Sequence, residues 1–295
     1  MTKKQIFNKL MNTEKSILLP VAHDALTAKI IESAGFKAFS LGGFGIAASR
    51  FGFPDIGLLS FTEMLEAVDQ IGNAVSIPML ADADTGYGGV HNVARTVRAY
   101  EKSGAALMFI EDQTWPKRCG HMNGKKVVDA SEMILKIKAA VAAREDPDFL
   151  IVARTDARAT HNLAEALRRS HLYVQAGADI IFIEAPQSME ELRIIPREIT
   201  EVPLLVNMME GGQTPLLAQK DLEDLGYKLI AWPLTLLLAG TQAVLTVMKE
   251  LKEKGTTQEL LPRLTSFAEI KKLLGIETFR KFEREITEQD NRTHY

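Results

Sequence analysis

The feature that most limits what this chain can fold into is an alternation that repeats along most of its length. Short apolar runs stand at Ile17–Leu19, Ala38–Leu41, Met79–Ala81, Ala106–Ile110, Leu150–Ala153, Ile180–Ile183, Leu204–Val206 and Lys228–Ala231. Between them lie stretches of helix length, among them Ala25–Ala34, Glu63–Ile71, Val93–Lys102, Glu132–Arg144, Leu163–Gln175 and Leu217–Leu225. Strand alternating with helix calls for a parallel sheet with helical crossovers. Eight runs at this spacing predict an α/β fold of the (β/α)8 TIM-barrel type, with an open doubly wound sheet as the alternative. Gly35, Gly104, Gly177 and Gly226 each stand just before a run. There a glycine can cap the preceding helix and turn the chain back into the sheet.

A chain of 295 residues is ordinary for one barrel. We read residues 1–295 as a single TIM-barrel domain, with the barrel over about 1–253 and a C-terminal helical extension over 254–295. The extension shows helical patterns at Phe267–Leu274 and Glu277–Gln289, expected to pack on the barrel or on another subunit. Apolar residues make up 46% and charged residues 25%, enough for a large core. The formal charge of −3 gives no pull toward nucleic acid or an anionic membrane, so neither is expected as a partner. Cys119 is the one cysteine, which excludes an intrachain disulfide and fits a reducing compartment. With no apolar run of signal-peptide length after Met1, the expected location is cytoplasmic. Leu229–Met248 lacks charge and approaches the length of a membrane span, but Pro233, Gly240 and Gln242 interrupt it. It reads as a buried strand followed by a buried helix.

A barrel carries its pocket at the C-terminal ends of its strands. Gly42 and Gly43 follow the second run, Asp82 and Asp84 the third, Glu111 and Asp112 the fourth, Arg154 and Asp156 the fifth, Glu184 the sixth and Asn207 the seventh. In a strand-like stretch alternate residues point the same way, so Asp82 and Asp84 can both aim into the pocket. With Glu111 on the next strand they offer the hard oxygens that Mg²⁺ prefers; capping of the following helix is the other role open to them. A second constellation, Lys117-Arg118-Cys119-Gly120-His121, lies on the loop after the fourth run. Its cations suit carboxylate binding and favour a thiolate, whereas a proton donor must keep its proton until charge develops on an intermediate. Arg154 either forks onto a substrate carboxylate or pairs internally with Asp156, Glu184 or Glu111. His23, near the end of the first run, is a further candidate, while His161 and His171 read as surface residues.

These residues resemble the isocitrate lyase and phosphoenolpyruvate mutase superfamily over essentially the whole chain. The likeness rests on Pro54–Gly57, Asp82–Gly88, Ile110–Gln113, Lys117–His121, Ala153–Ala157 and Ile183–Pro186. The cysteine loop marks the superfamily's carbon–carbon lyases. The resemblance implies a Mg²⁺ ion, with Mn²⁺ as a possible substitute, on Asp82 and Asp84, with Asp55 and Glu111 holding its waters. It implies that amides of Gly42, Gly43 and Phe44 bind a 2-oxo-acid carboxylate, that Arg154 contacts the substrate, and that Glu184 and Asn207 lie near the other carboxylate. Cys119 would protonate the departing carbanion, with Lys117, Gly120 and His121 beside it. A homotetramer with an exchanged C-terminal helix is the family's usual assembly.

The sequence departs from the family at Gly42, where serine is usual, and at Ser40, where several lyases have tyrosine; the general base is therefore unassigned. Asn207–Pro215 resembles the branch containing 2,3-dimethylmalate lyase and the petal death protein. Leu238 stands where methylisocitrate lyases carry arginine, which argues against a third substrate carboxylate. The expected activity is cleavage of a 2,3-dimethylmalate-like dicarboxylate, with 2-methylisocitrate as runner-up. A phosphonopyruvate mutase or hydrolase and a non-catalytic oxo-acid binder are the rival classes.

Overall fold

The computed structural model describes residues 1–293; His294 and Tyr295, the end of the expected extension, lie outside the described residues. All eight runs become strands: β1 Ile17–Ala22, β2 Phe39–Leu41, β3 Met79–Asp82, β4 Leu107–Glu111, β5 Leu150–Thr155, β6 Ile180–Ile183, β7 Leu204–Asn207 and β8 Leu229–Trp232. Each pairs in parallel with the next, and β1 pairs with β8, so the sheet closes into a barrel and the open-sheet alternative falls. The crossover helices are α2 Ala25–Ser33, α4 Phe61–Gly72, α5 Val90–Lys102, α6 Ala130–Ala143, α8 Leu163–Gln175, α9 Met189–Glu198 and α10 Gln219–Leu225. Short α3 Gly43–Ile46 and α7 Ala157–Thr160 sit on the rim. The four glycines before strands all have positive φ, from 87° to 108°, the left-handed turn that a side chain resists.

Two packed layers follow from the period of two along each strand. Met79, Ala81, Met108, Ile110, Ile151, Ala153, Ile181 and Val206 face the helices. Leu80, Leu107, Phe109, Val152, Ile180, Phe182, Leu205 and Leu229 fill the barrel interior. Phe7 and Leu10 of α1 (Lys3–Thr13) join the interior cluster, so this helix plugs one end of the barrel. The other end is the rim where the strands finish, and the inward phase continues there into polar side chains. Asp82 follows Leu80, Glu111 follows Phe109, Arg154 follows Val152, Glu184 follows Phe182 and Asn207 follows Leu205, each by two residues.

The chain divides into two compact units, Met1–Leu238 and Ala239–Tyr295. The division falls inside α11 (Thr235–Lys254); α12 (Phe267–Leu273) and α13 (Ile276–Thr293) belong to the second unit. The expectation of a buried helix after β8 is corrected here. No residue of α11 is buried, and Val244, Leu245 and Met248 are exposed. Apolar composition gave the helix its core-like reading, yet it says nothing of whether the same chain supplies the cover. No helix among the described residues is long and apolar enough to cross a membrane.

Candidate active site

A cavity opens at the polar end of the barrel. It is lined by Gly42, Gly43, Phe44, Asp55, Asp82, Lys117, Cys119, Gly120, His121, Arg154, Glu184 and Asn207, alongside an apolar wall that includes Val21, Leu80, Leu205, Pro233 and Leu234. Nearly every residue singled out from the sequence therefore meets in one place. Asp84 and Glu111 are buried just outside the lining. His23 does not line this cavity, and neither does Leu238, which is exposed.

Asp84 reaches the site by a different route from the one its spacing suggested. Strand β3 stops at Asp82, and Asp84 has φ 47°, a left-handed turn that aspartate tolerates better than most residues. The turn is held by Asp82, whose Oδ1 accepts the Asp84 amide at 2.9 Å, while its Oδ2 accepts the Gly43 amide at 2.8 Å. Lys117 comes down from the loop between two other carboxylates, its Nζ 2.6 Å from Asp55 and 2.7 Å from Asp84. Burial pushes the Asp84 carboxyl up, Lys117 opposes this, and Asp82 and Asp55 add to it, leaving it at about 6. Burial alone would lower Lys117, but Asp84, Asp55, Asp82 and Glu111 outweigh it and hold the ammonium well above its ordinary value.

Arg154 pairs internally with all three acids considered for it. It forks onto Asp156 at 3.0 and 3.2 Å and lies 3.3 Å from Glu111 and 3.4 Å from Glu184. The Glu111 contact follows from register, since Glu111 and Arg154 are direct partners between β4 and β5. Asp156 is itself anchored: its amide donates to buried Asp112, which also accepts from Thr155, Arg169 and Tyr173. Burial would raise Glu184, yet Arg154, His121 and Lys125 hold it down at about 2. His121 Nε2 lies 2.8 Å from Glu184, and Asn207 donates to the same carboxylate at 3.2 Å.

Of the two states left open for Cys119, thiolate and proton-holding thiol, burial favours the second. Burial pushes the thiol up to about 11; Asp55 and Glu184 add to this, and Arg154 only partly offsets it. The loop's cations are committed elsewhere. Lys117 faces Asp55 and Asp84, and the exposed Arg118 side chain donates to the Asn123 carbonyl. A thiol in this state holds its proton at neutral pH.

Hard oxygens dominate the surroundings of Lys117. Asp55, Asp82, Asp84, Glu111, Asp156 and Glu184 are buried here, against Lys117, Arg154 and Lys125. Glu111 Oε1 has no hydrogen-bond partner. An excess of buried carboxylates with an orphaned oxygen fits a divalent cation. Among the described residues no three His, Cys, Asp or Glu side chains converge to enclose an ion by themselves. The fit is therefore to an ion that keeps several waters, as Mg²⁺ does.

Three residues that sequence reasoning missed complete the arrangement. Lys125 lies 3.2 Å from Asp156 and donates to the Gly120 carbonyl. The Gln213 amide donates to His121 Nδ1 at 3.1 Å, which leaves the ring proton on the Nε2 that faces Glu184. Gln113 holds the backbone of the cysteine loop. Gln113 and Gln213 stand inside the segments Ile110–Gln113 and Asn207–Pro215 but carry no local pattern that marks a role, and Lys125 lies outside every motif.

The chain matches the model of the phosphoenolpyruvate phosphomutase family over residues 7–252. It is 47% identical over 274 residues to the 2,3-dimethylmalate lyase of Eubacterium barkeri, across 93% of this chain and 94% of that protein. It is 40% identical to a 2-methylisocitrate lyase of Aeropyrum pernix, across 96% and 90% of the two chains. A crystal structure of 2,3-dimethylmalate lyase superposes with a TM-score of 0.90 at 34% identity, covering 97% of this chain and 96% of that one. A phosphonopyruvate hydrolase in complex with oxalate and Mg²⁺ superposes at 0.88 and 33% identity, covering 96% and 99%.

Proposed function

The chain belongs to the phosphoenolpyruvate mutase and isocitrate lyase superfamily, and from that membership we propose that it is a Mg²⁺-dependent carbon–carbon lyase for a substituted 2-hydroxy dicarboxylate. The substrate is of the 2,3-dimethylmalate type, and the products are a 2-oxo acid such as pyruvate and a short carboxylate. The observation that carries this reading is the Cys119 thiol, kept protonated in the same cavity as Arg154 and the carboxylate cluster. A mutase that moves a phosphoryl group from carbon to oxygen makes no net protonation of carbon and has no step for such a donor.

Asp82 and Asp84, with Asp55 and Glu111 behind waters, would hold the ion. Bound there, Mg²⁺ or Mn²⁺ supplies electrostatic stabilisation where negative charge develops on substrate oxygen. Gly42, Gly43, Phe44 and Arg154 orient the hydroxy-acid end, and Glu184 and Asn207 border the other carboxylate. A base removes the hydroxyl proton, and the C2–C3 bond breaks, its electron pair passing to C3 beside the second carboxylate. The Sγ–H of Cys119 then gives its proton to C3, with Lys117, Gly120 and His121 keeping the loop over the substrate. The apolar wall favours alkyl substituents. Leu238 offers no cation for a third carboxylate, which ranks 2-methylisocitrate second. Exposed Phe267, Phe279, Phe282 and Ile286 in the second unit support a homotetramer that exchanges its C-terminal helices. The single cysteine, Cys119, goes with a reducing, cytoplasmic location.

The test is purified protein with Mg²⁺ offered 2,3-dimethylmalate, 2-methylisocitrate, other 2-hydroxy dicarboxylates and phosphonopyruvate. Release of 2-oxo acid from a substituted malate is the expected result. Turnover of phosphonopyruvate alone, or of nothing in the panel, would overturn the reading.

A further inference from the structure

Between the two functional residues of the loop, Lys117 and Cys119, stands Arg118, whose side chain is exposed. Its backbone is not free. The Arg118 amide donates to Gln113 Oε1 at 3.0 Å, and the Arg118 carbonyl accepts from Gln113 Nε2 at 2.8 Å. The carbonyl belongs to the same peptide unit as the Cys119 amide, which donates to the Asp55 carbonyl at 3.1 Å. A peptide unit is planar, so pinning its oxygen and its N–H from opposite sides sets its orientation, and with it the direction in which Cys119 leaves the backbone. The preceding unit, between Lys117 and Arg118, is pinned through its N–H by the same side chain.

Gln113 is itself immobile. It is buried and two residues past Glu111, and it bridges to Val127 on the far leg of the loop. The flanking bonds Thr114 to Lys126 and Val128 to Asp112 tie the two legs together. The task needs an acceptor for an N–H and a donor for a carbonyl about a peptide's width apart, both in one neutral group. Among side chains long enough, glutamine alone provides this. Glutamate would turn an oxygen toward the Arg118 carbonyl, and methionine would make neither bond.

We propose that Gln113 is the positioning residue that aims Lys117 toward Asp55 and Asp84 and Cys119 into the cavity, by clamping the peptide backbone between them. The inference rests on the lyase reading for what Cys119 does, but not for where it is held. Cys119 is the sole thiol of the chain, so its alkylation by iodoacetamide reports loop opening without any substrate. In Gln113→Glu the labelling rate should rise, and kcat fall, each by about tenfold, as expected for losing one buried hydrogen bond and setting two oxygens against each other. The pyruvate dissociation constant and the Tm should stay near wild type, because Gly42, Gly43, Phe44 and Arg154, which would hold an oxo acid, lie outside this loop. Gln113→Met should behave alike. Unchanged labelling and kcat in either folded variant would overturn the proposal, as would a fall in Tm with labelling unchanged. Should neither variant fold, hydrogen exchange on the wild type decides. Protected Arg118 and Cys119 amides support the clamp, and exchange at exposed-loop rates refutes it. A failed substrate panel would leave the labelling and exchange results standing, so the two readings fail separately.

Discussion

Replacing Gly120 by alanine tests whether the closed loop is needed for turnover. Gly120 does not use a left-handed backbone, so the substitution acts by volume alone. A Cβ there would lie 2.4 Å from Arg154 Nη2, 2.5 Å from Glu184 Cγ and 2.7 Å from Glu184 Cδ. Neither side chain can swing away cheaply. Arg154 is tied to Asp156, Glu111 and Glu184, and Glu184 to His121 and Asn207. Disrupting such a buried ion-pair network costs about 3–5 kcal/mol, whereas overpacking relieved by backbone movement costs about 1–3 kcal/mol. The smaller cost wins, so the loop lifts and the network stays. A penalty of about 1–3 kcal/mol on the closed loop lowers its population, and kcat/KM with it, by roughly 5- to 150-fold. Steady-state kinetics paired with a thermal melt checks this, and the Tm should hold. Kinetics within about twofold of wild type would refute the reasoning, because a loss of that size is below 0.5 kcal/mol. Intact kinetics would mean that Gly120 does not approach Arg154 and Glu184 during turnover.

Cys119→Ser should lose about 10²- to 10⁴-fold in kcat, the usual worth of a general acid, with pyruvate affinity little changed. Near-wild-type turnover would remove the thiol from the mechanism, and joint loss of turnover and binding would make the loop's role structural. Chelation should abolish turnover and Mg²⁺ or Mn²⁺ restore it; full activity in metal-free protein would refute the site. Because the Asp84 carboxyl sits at about 6 without metal, it becomes protonated as pH falls through that value. A Mg²⁺ titration should then show affinity weakening by up to about tenfold per unit below it, since a ligand must be deprotonated to bind; a flat profile from pH 7 to 5 would exclude Asp84 as a ligand. The wild-type protein, with Leu238 where methylisocitrate lyases carry arginine, should use 2-methylisocitrate about one to two orders of magnitude less well than a substituted malate, the worth of a missing charge-assisted carboxylate contact. If the wild-type protein already prefers that tricarboxylate, the role given to Leu238 is wrong.

The barrel was legible because its signals are local. An apolar run of three to five residues, a glycine before it and a helical stretch after it each depend on neighbours in the chain, and all eight strands appear where the runs are. Much of the site was legible for the same reason. The inward phase set by Leu80, Phe109, Val152, Phe182 and Leu205 carries on to Asp82, Glu111, Arg154, Glu184 and Asn207, so periodicity alone puts these five at the polar end of the barrel. The tertiary structure decided which of these groups meet and in what state. Arg154 reads as a substrate clamp or an ion-pair partner until register sets Glu111 beside it. Asp84 reads as strand until the turn on Asp82 sends it left-handed. Cys119 reads as thiolate or proton donor until burial, together with the capture of Lys117 by two carboxylates, leaves it a thiol. Gln113 carries no pattern until the loop folds over it. α11 looks buried in sequence, and its apolar side chains are exposed on the chain. The physical reason is the same in each case. Periodicity and turn chemistry act over a few residues, whereas burial, partner choice and proton affinity depend on groups that only closure of the barrel brings together.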